Sequence, residues 1–548
     1  MRLSLALDPR LASVLGLCLL HLAVAAGKPN LLDTTSASDS VRCRLQGTPH
    51  PSAFSKDGDF FIGGVFSIHY YMLTVEHNFS TMPEPLRCTG SLDSRELRLS
   101  RAMIYAIEEI NNSSQLLPGV TIGYEIYDAC CSVPVAVKVA FQLTNGADPV
   151  FDTGEGCSRS NTLTAIVGES GSTPSIGMSR VISPFGIPQV SHFATCACLS
   201  DKKQFPSFFR TIPSDQYQAA ALVHLIRHFG WIWIGAVRSD SDYGNSGMAA
   251  FLTAAHKEGI CVEYSEAFSH TNPQSKVKKV ADVIRSSTSR VVVAFVSYSD
   301  MRILLEELER LPTSPRQWIG SEAWVTDPEM KHFGLCAGAI GFGIQRSVIP
   351  GLRDFLLDLS PQKVSSSPVL TEFWEGAFGC SLEKETALRE RALVKVCDGS
   401  EDIQQLRVPY TDTSQLRITN MVYKAVYAVA HAIHSLVCEE KMNSTVYCDR
   451  NQSVTPTQVL EKLKRVNFSR NGYRVSFDAN GDPVATYELV NWQRGEGGQM
   501  EFVTVGYYDA SLPDGMRFRM EKEITWVDNS TQSPTVAHVS ALWRDVPS

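Results

Sequence analysis

The sequence predicts an α/β protein of two lobes, each built on a doubly wound parallel sheet. Three observations predict this. From about Leu163, short apolar strands alternate with amphipathic helices, and strands apolar on both faces belong to parallel sheets covered by helices on both sides. A chain of 548 residues exceeds what one hydrophobic core holds. Small-residue turns and isolated polar residues fall at strand ends, where doubly wound sheets take their ligands.

The elements follow in order. Arg2 and Arg10 precede an apolar run, LASVLGLCLLHLAVAA, that closes in small residues before Gly27. This predicts a secretory signal peptide over 1–26; the run is short for a membrane anchor, and Lys28 follows it. Segment 27–55 is polar and reads as loop, as does the long stretch GADPVFDTGEGCSRSN (146–161), which contains Cys157. Strands are predicted at LTAIVGE (163–169), IPQVSHFAT (187–195), WIWIGAV (231–237), CVEYSEAF (261–268), RVVVAFVSY (290–298) and QWIGSEAW (317–324). Helices are predicted between them at 218–230, 247–259, 275–287 and 301–311. The helix NMVYKAVYAVAHAIHSLV (420–437) is apolar almost all round and should be buried. SFDANGDP (476–483) reads as a strand followed by an Asn-Gly turn.

Composition narrows the function. The net charge of −8 and the lack of a basic run exclude nucleic acid as an expected partner. No later stretch reaches the ~20 apolar residues of a membrane span, so a soluble, extracytoplasmic mature chain is expected. Sequons at Asn78, Asn111, Asn112, Asn443, Asn451, Asn467 and Asn529 agree with secretion, although the Asn111 and Asn112 sequons overlap. Of 14 cysteines, Cys18 leaves with the leader. Most of the others should form disulfides, and their odd number implies an intermolecular bond or a free thiol.

The turn in TAIVGESGSTPSIG (164–177) fails three catalytic or nucleotide motifs. A P-loop needs a lysine that is absent, the Gly168-x-x-Gly171 spacing is wrong for a dinucleotide fold, and a nucleophile elbow needs glycine where Ser172 stands. What survives is a strand–helix turn offering N–H groups and the hydroxyls of Ser170, Ser172 and Thr173, which suits a carboxylate. A plain connector is the alternative reading. The pairs His224/His228 and His431/His434 lack a completing acid, so no metal site is expected. Carboxylates are scattered rather than paired as general acid and base, so an enzyme is not expected.

These residues resemble a family. KDGDFFIGGVFSIHYY (56–71), RAMIYAIEEIN (101–111), LLPGVTIGYEIYDAC (116–130), SDYGNSGM (241–248), WIGSEAW (318–324) and VGYYD (505–509) resemble, in the same order, the extracellular Venus-flytrap domain of class C G-protein-coupled receptors. That group includes metabotropic glutamate, calcium-sensing, taste and vomeronasal type-2 receptors. FATCACLSDKKQFPSFFRTIPSD (193–215) is similar to the vomeronasal type-2 and fish olfactory branch.

The resemblance implies a periplasmic-binding-protein-like type I fold. Lobe one would take 56–209 and 350–485, lobe two 210–349 and 486–527, with three crossings forming a hinge. It implies no enzyme and no cofactor, with Ca²⁺ as a modulator, and an L-amino acid clamped between the lobes. Ser172 matches the serine that binds the ligand carboxylate, and Thr195 a threonine that meets the carboxylate and ammonium. Asp215, Tyr243 and Glu322 match the residues that hold the ammonium. Glutamate-binding members place an arginine where this chain has Leu99, and a second basic position falls near Ile418, beside Arg417. Disulfides Cys88–Cys130, Cys380–Cys397 and Cys438–Cys448 are implied, as is an inter-subunit bond at Cys157. Cys261 matches a cysteine that bonds to a cysteine-rich domain. Cys43, Cys131, Cys196, Cys198 and Cys336 are not assigned by it. The tail 528–548 departs from the family, and the cysteine-rich and seven-helix domains are expected to be absent. The expected setting is the secretory pathway and the extracellular face of the plasma membrane, as a homo- or heterodimer that reaches a G protein only through a membrane domain. The rival readings are a secreted amino-acid-binding protein or decoy, and an α/β hydrolase with Ser170 as nucleophile; a calcium-sensing-type receptor domain is a variant of the main reading, although no closed set of calcium ligands is evident.

Overall fold

Two β-sheets organise the computed structural model, which describes residues 50–73, 80, 84–145, 163–382, 395–440 and 446–531. The leader, Cys43, Cys157, Asn78, Asn443 and residues 532–548 lie outside the described residues.

The first sheet has six strands. Phe60–Phe66 is central, with Ile122–Asp128 and Leu163–Gly168 parallel to it on either side. Gln189–Ser191 and Phe208–Arg210 extend it in parallel, and Phe54–Lys56 closes the far edge antiparallel to Ile122–Asp128. The loop-like reading of 27–55 therefore ends at Phe54. Alternation along the central strand explains its uniform apolarity. Phe60, Ile62 and Phe66 share a core with helices Ser94–Asn111 and Arg417–Val437, whereas Phe61 and Val65 pack with Val133–Asn145 and Ser172–Ile182.

The second sheet has eight strands. Cys261–Phe268, Trp233–Ser239, Val291–Phe295, Gln317–Gly320 and Ile340–Gly343 run parallel in that spatial order. Val291, Val293 and Phe295 face helices Asp215–His228 and Asp242–Lys257, while Val292 and Ala294 face Gln274–Ser286 and Tyr298–Glu309. Thr486–Arg494, Met500–Asp509 and Phe518–Met520 then add antiparallel strands. The short connection between the first two of these forbids a parallel pair, which needs a crossover of a dozen or more residues.

Three element readings change. The strand read over 187–195 holds only Gln189–Ser191, and that read over 317–324 stops at Gly320, where Ser321 caps the short helix Glu322–Val325. The strand placed at 476 ends there. It is Tyr473–Ser476, paired with Asn467–Arg470 through a turn at Asn471-Gly472. Both turn residues have positive φ, 49° and 79°, as a two-residue type I′ hairpin requires.

The chain passes three times between the core around the first sheet and the second sheet: after Phe208–Arg210, after Ile340–Gly343 and after Tyr473–Ser476, the elements from Leu352 to Ser476 sharing the first sheet's core. These passages are bonded together. Arg210 N donates to Gly481 O, and the Tyr473 hydroxyl donates to Arg346 O. Disulfides join Cys88–Cys130, Cys380–Cys397 and Cys438–Cys448, and also Cys196–Cys198; Cys131, Cys261 and Cys336 are free thiols. No described helix is long and apolar enough to cross a membrane.

Candidate functional site

The turn after Leu163–Gly168 is fixed from below. Gly168 has φ +128°, and a Cβ there would meet Val65 O at 2.1 Å, so only glycine fits. The buried Glu169 carboxylate accepts from the Ser67 hydroxyl and from Gly171 N (2.6 Å). Gly171, the N-cap of helix Ser172–Ile182, offers no side-chain cap. The start of that helix therefore opens onto a cavity of about 360 Å³ lined by Ser172 and Thr173. A helix N-terminus with adjacent hydroxyls is suited to an anion. Ser172 Oγ also accepts from Cys196 N at 3.2 Å, which ties the turn to the loop carrying Thr195.

Thr195, Asp215, Tyr243 and Glu322 line the same cavity. Thr195 O accepts from Asp215 N (2.8 Å) at the first turn of helix Asp215–His228. Asp215 is 1% exposed, and its Oδ2 has no hydrogen-bond partner. The Tyr243 hydroxyl is 2.6 Å from Ser321 Oγ. Glu322 Oε1 accepts from Thr326 Oγ1 (2.8 Å) and Oε2 from Ile344 N (2.6 Å). Across the cleft, Asp242 N donates to Thr173 Oγ1 at 3.3 Å.

Burial dominates the acidity of these groups. Loss of solvation pushes the Glu96 carboxyl up to about 8, with Asp93 and Glu169 adding to the effect, and pushes Glu169, Asp215 and Glu322 up to about 7. Each binds a proton in the folded state at a pH where the unfolded chain has released it, so stability falls as pH rises through the gap. His69, held between Asp128 and Glu372 and raised to about 10, has the same sign from its ordinary 6.5 upward. Buried His192, lowered to about 3, has the opposite sign only below 6.5. Thermal melts of the ligand-free protein should therefore fall from pH 6.5 to 8, and less steeply in Glu96→Gln. A flat or rising profile over that range would contradict these environments.

Sequence reasoning did not single out Glu96, Arg95 or Ser67, which also line the cavity. Asp93 was the available signal: as N-cap of Ser94–Asn111 it accepts from Arg95 N and Glu96 N, so both residues start a helix at the cleft. Arg95 pairs with Asp93 (3.0 Å) and with Asp327 from the second lobe, and lies 4.5 Å over the Tyr298 ring. Leu99, Arg417 and Ile418 border a smaller cavity of about 60 Å³. Arg417 is occupied there by Glu488 (2.8 Å) and Ile344 O.

The hydrolase reading fails on geometry. Ser170 Oγ meets both His192 Nε2 (2.9 Å) and Glu96 Oε2 (2.8 Å), so the carboxylate touches the serine, while His192 Nδ1 has no partner. Among the described residues, the groups of three close metal-type donors are His434/Cys438/Cys448 and Cys380/Cys397/Glu401. In each, both cysteines are spent in a disulfide. Asn112, Asn451, Asn467 and Asn529 are exposed. Asn111 is half-buried, its amide nitrogen donating to Ile122 O (3.0 Å) and its Oδ1 accepting from Ile122 N (2.8 Å).

The family model described as the receptor family ligand binding region matches residues 98–495. The extracellular calcium-sensing receptor of Homo sapiens is 35% identical over 526 residues, covering 89% of this chain and 49% of that protein. Taste receptor type 1 member 1 of Mus musculus is 30% identical over 509 residues, 91% and 57% respectively. Metabotropic glutamate receptor 4 of Mus musculus is 27% identical over 503 residues, 89% and 53%. The chain spans about half the length of these curated relatives.

Proposed function

The chain belongs to the family of receptor ligand-binding regions, the extracellular ligand-binding domain of class C G-protein-coupled receptors, and from that premise we propose that its cleft binds an α-amino acid. The ligand carboxylate docks on the first lobe, at the helix start and the hydroxyls of Ser172 and Thr195. Closure brings Asp215, Tyr243 and Glu322 onto the ammonium through charge and a ring face. The observation that supports this reading is that these five residues, drawn from both lobes, line one cavity. A ligand that bridges the lobes only when they are closed shifts the open–closed balance by its differential affinity.

Within a full-length receptor this closure would reorient a dimer, linked through Cys157, and activate a G protein through a membrane domain. The stretch 193–215 supports a chemosensory receptor of the vomeronasal type-2 or fish olfactory branch.

The test is a thermal-shift and calorimetric screen of residues 27–548, secreted from culture, against the twenty amino acids with and without calcium. Ser172→Ala and Thr195→Ala should each weaken the best ligand by about 1.5–3 kcal/mol, the value of a hydrogen bond to a charged group. That is roughly ten- to a hundredfold in Kd. Wild-type affinity in both variants would refute the site.

A further inference from the structure

The positive charge around the cavity is already consumed. Arg95 is held by Asp93 and Asp327. His69 sits between Asp128 and Glu372, and His270 Nδ1 is 2.8 Å from Asp300. Glu96, Asp215 and Glu322 remain, with no ion pair to any of them among the described residues. Asp215 Oδ2 is fully buried and unpartnered. Buried carboxyl groups without a counter-charge are costly, and a cation entering the cavity relieves that cost.

One α-ammonium accounts for Asp215 and Glu322. Glu96 is left over, on the first lobe. Its Oε2 accepts from Ser170 Oγ (2.8 Å) and Ser67 N (3.3 Å), which aim the carboxyl at a fixed point. Ser170 lies two residues before Ser172, and two residues of chain span at most about 7 Å, so Glu96 sits on the same lobe as the carboxylate end and within side-chain reach of it. Tyr70 and Tyr71 line the same cavity, supplying apolar surface for methylenes and ring faces for a cation.

The cations nearest Leu99 are largely engaged. Arg98 is bound to the carbonyls of Pro409 and Asp412, and Arg417 through Nη1 to Glu488 and Ile344 O; Arg417 Nη2, buried without a partner at the smaller cavity, makes glutamate the competing ligand to test. An apolar side chain would leave Glu96 without a counter-charge.

We propose that the ligand is an amino acid with a second positive charge on its side chain, and that Glu96 is the residue that selects it. This deepens the amino-acid reading and rests on it.

The experiment is calorimetric titration of the secreted chain with lysine, its uncharged analogue norleucine, arginine, citrulline, glutamate, cadaverine and calcium chloride. Lysine and arginine should bind at least tenfold more tightly than norleucine and citrulline. Glu96→Gln, checked for folding by circular dichroism, should erase that ratio. Cadaverine, which lacks a carboxylate, should bind at least tenfold more weakly than lysine. If norleucine matches lysine and its binding still depends on Ser172, the amino-acid reading stands and the role of Glu96 is overturned. If no amino acid binds, both fail. Saturation by calcium alone, dependent on Glu96 and blind to lysine, also overturns the proposal.

Discussion

Replacing Asp482 by alanine is expected to destabilise the fold by about 3–5 kcal/mol, the cost of stranding a buried charge. Arg210 is 0% exposed. Its Nε donates to Asp482 Oδ1 at 2.6 Å, and its Nη1 to the carbonyls of Ala194 (3.1 Å) and Cys196 (2.8 Å). Without Asp482 the guanidinium keeps its neutral acceptors but loses its counter-charge in a site water does not reach. Replacing both partners with apolar residues removes the stranded charge and should recover part of the loss. It should not recover all of it, because the two carbonyls would then lose their donor. Denaturant unfolding of the single and double variants measures this. A loss below about 1 kcal/mol in Asp482→Ala would mean that the pair is solvated or dispensable. Ala194 and Cys196 flank Thr195, so this ion pair also shapes the ligand site.

The second large effect concerns closure. Asp327→Ala removes the acceptor that the second lobe offers Arg95, while Arg95 keeps Asp93. Asp327 does not line the larger cavity. Its loss should therefore leave every proposed ligand contact intact and still weaken binding about ten- to a hundredfold. This corresponds to about 1.5–3 kcal/mol for a charged hydrogen bond present only when the lobes meet. Small-angle scattering of the ligand-free variant should show a larger radius of gyration than wild type. Unchanged affinity together with unchanged scattering would show that Arg95 and Asp327 do not hold the lobes together.

The alternation of apolar strands and helices was readable because parallel strands bury both faces, and CVEYSEAF gave its strand end to end. The antiparallel additions were not, since 486–494 and 500–509 carry polar residues on strands whose place depends on the sheet beside them. QWIGSEAW was read too long because nothing in its apolarity marks the point where Ser321 turns the chain into a helix. Ser172, Thr195, Asp215, Tyr243 and Glu322 were reached through strand ends and resemblance. Glu96 was hidden by its context: on a helix it reads as an ordinary solvent-facing acid, and only the approach of Ser67 and Ser170 buries it. Arg417 stood beside an expected basic position, yet Glu488, far away in sequence, occupies it.

The three bonded passages between the sheets bear on how the molecule moves. A single linker would let the lobes swivel, twist and slide. Three passages tied to one another act as a door hinge and leave one easy rotation, with torsion and shear resisted. The state of the whole domain then collapses onto one coordinate. A single pair of fluorophores, one on each lobe and away from the cleft, should report the full opening angle, and a second pair placed elsewhere should track it in strict proportion.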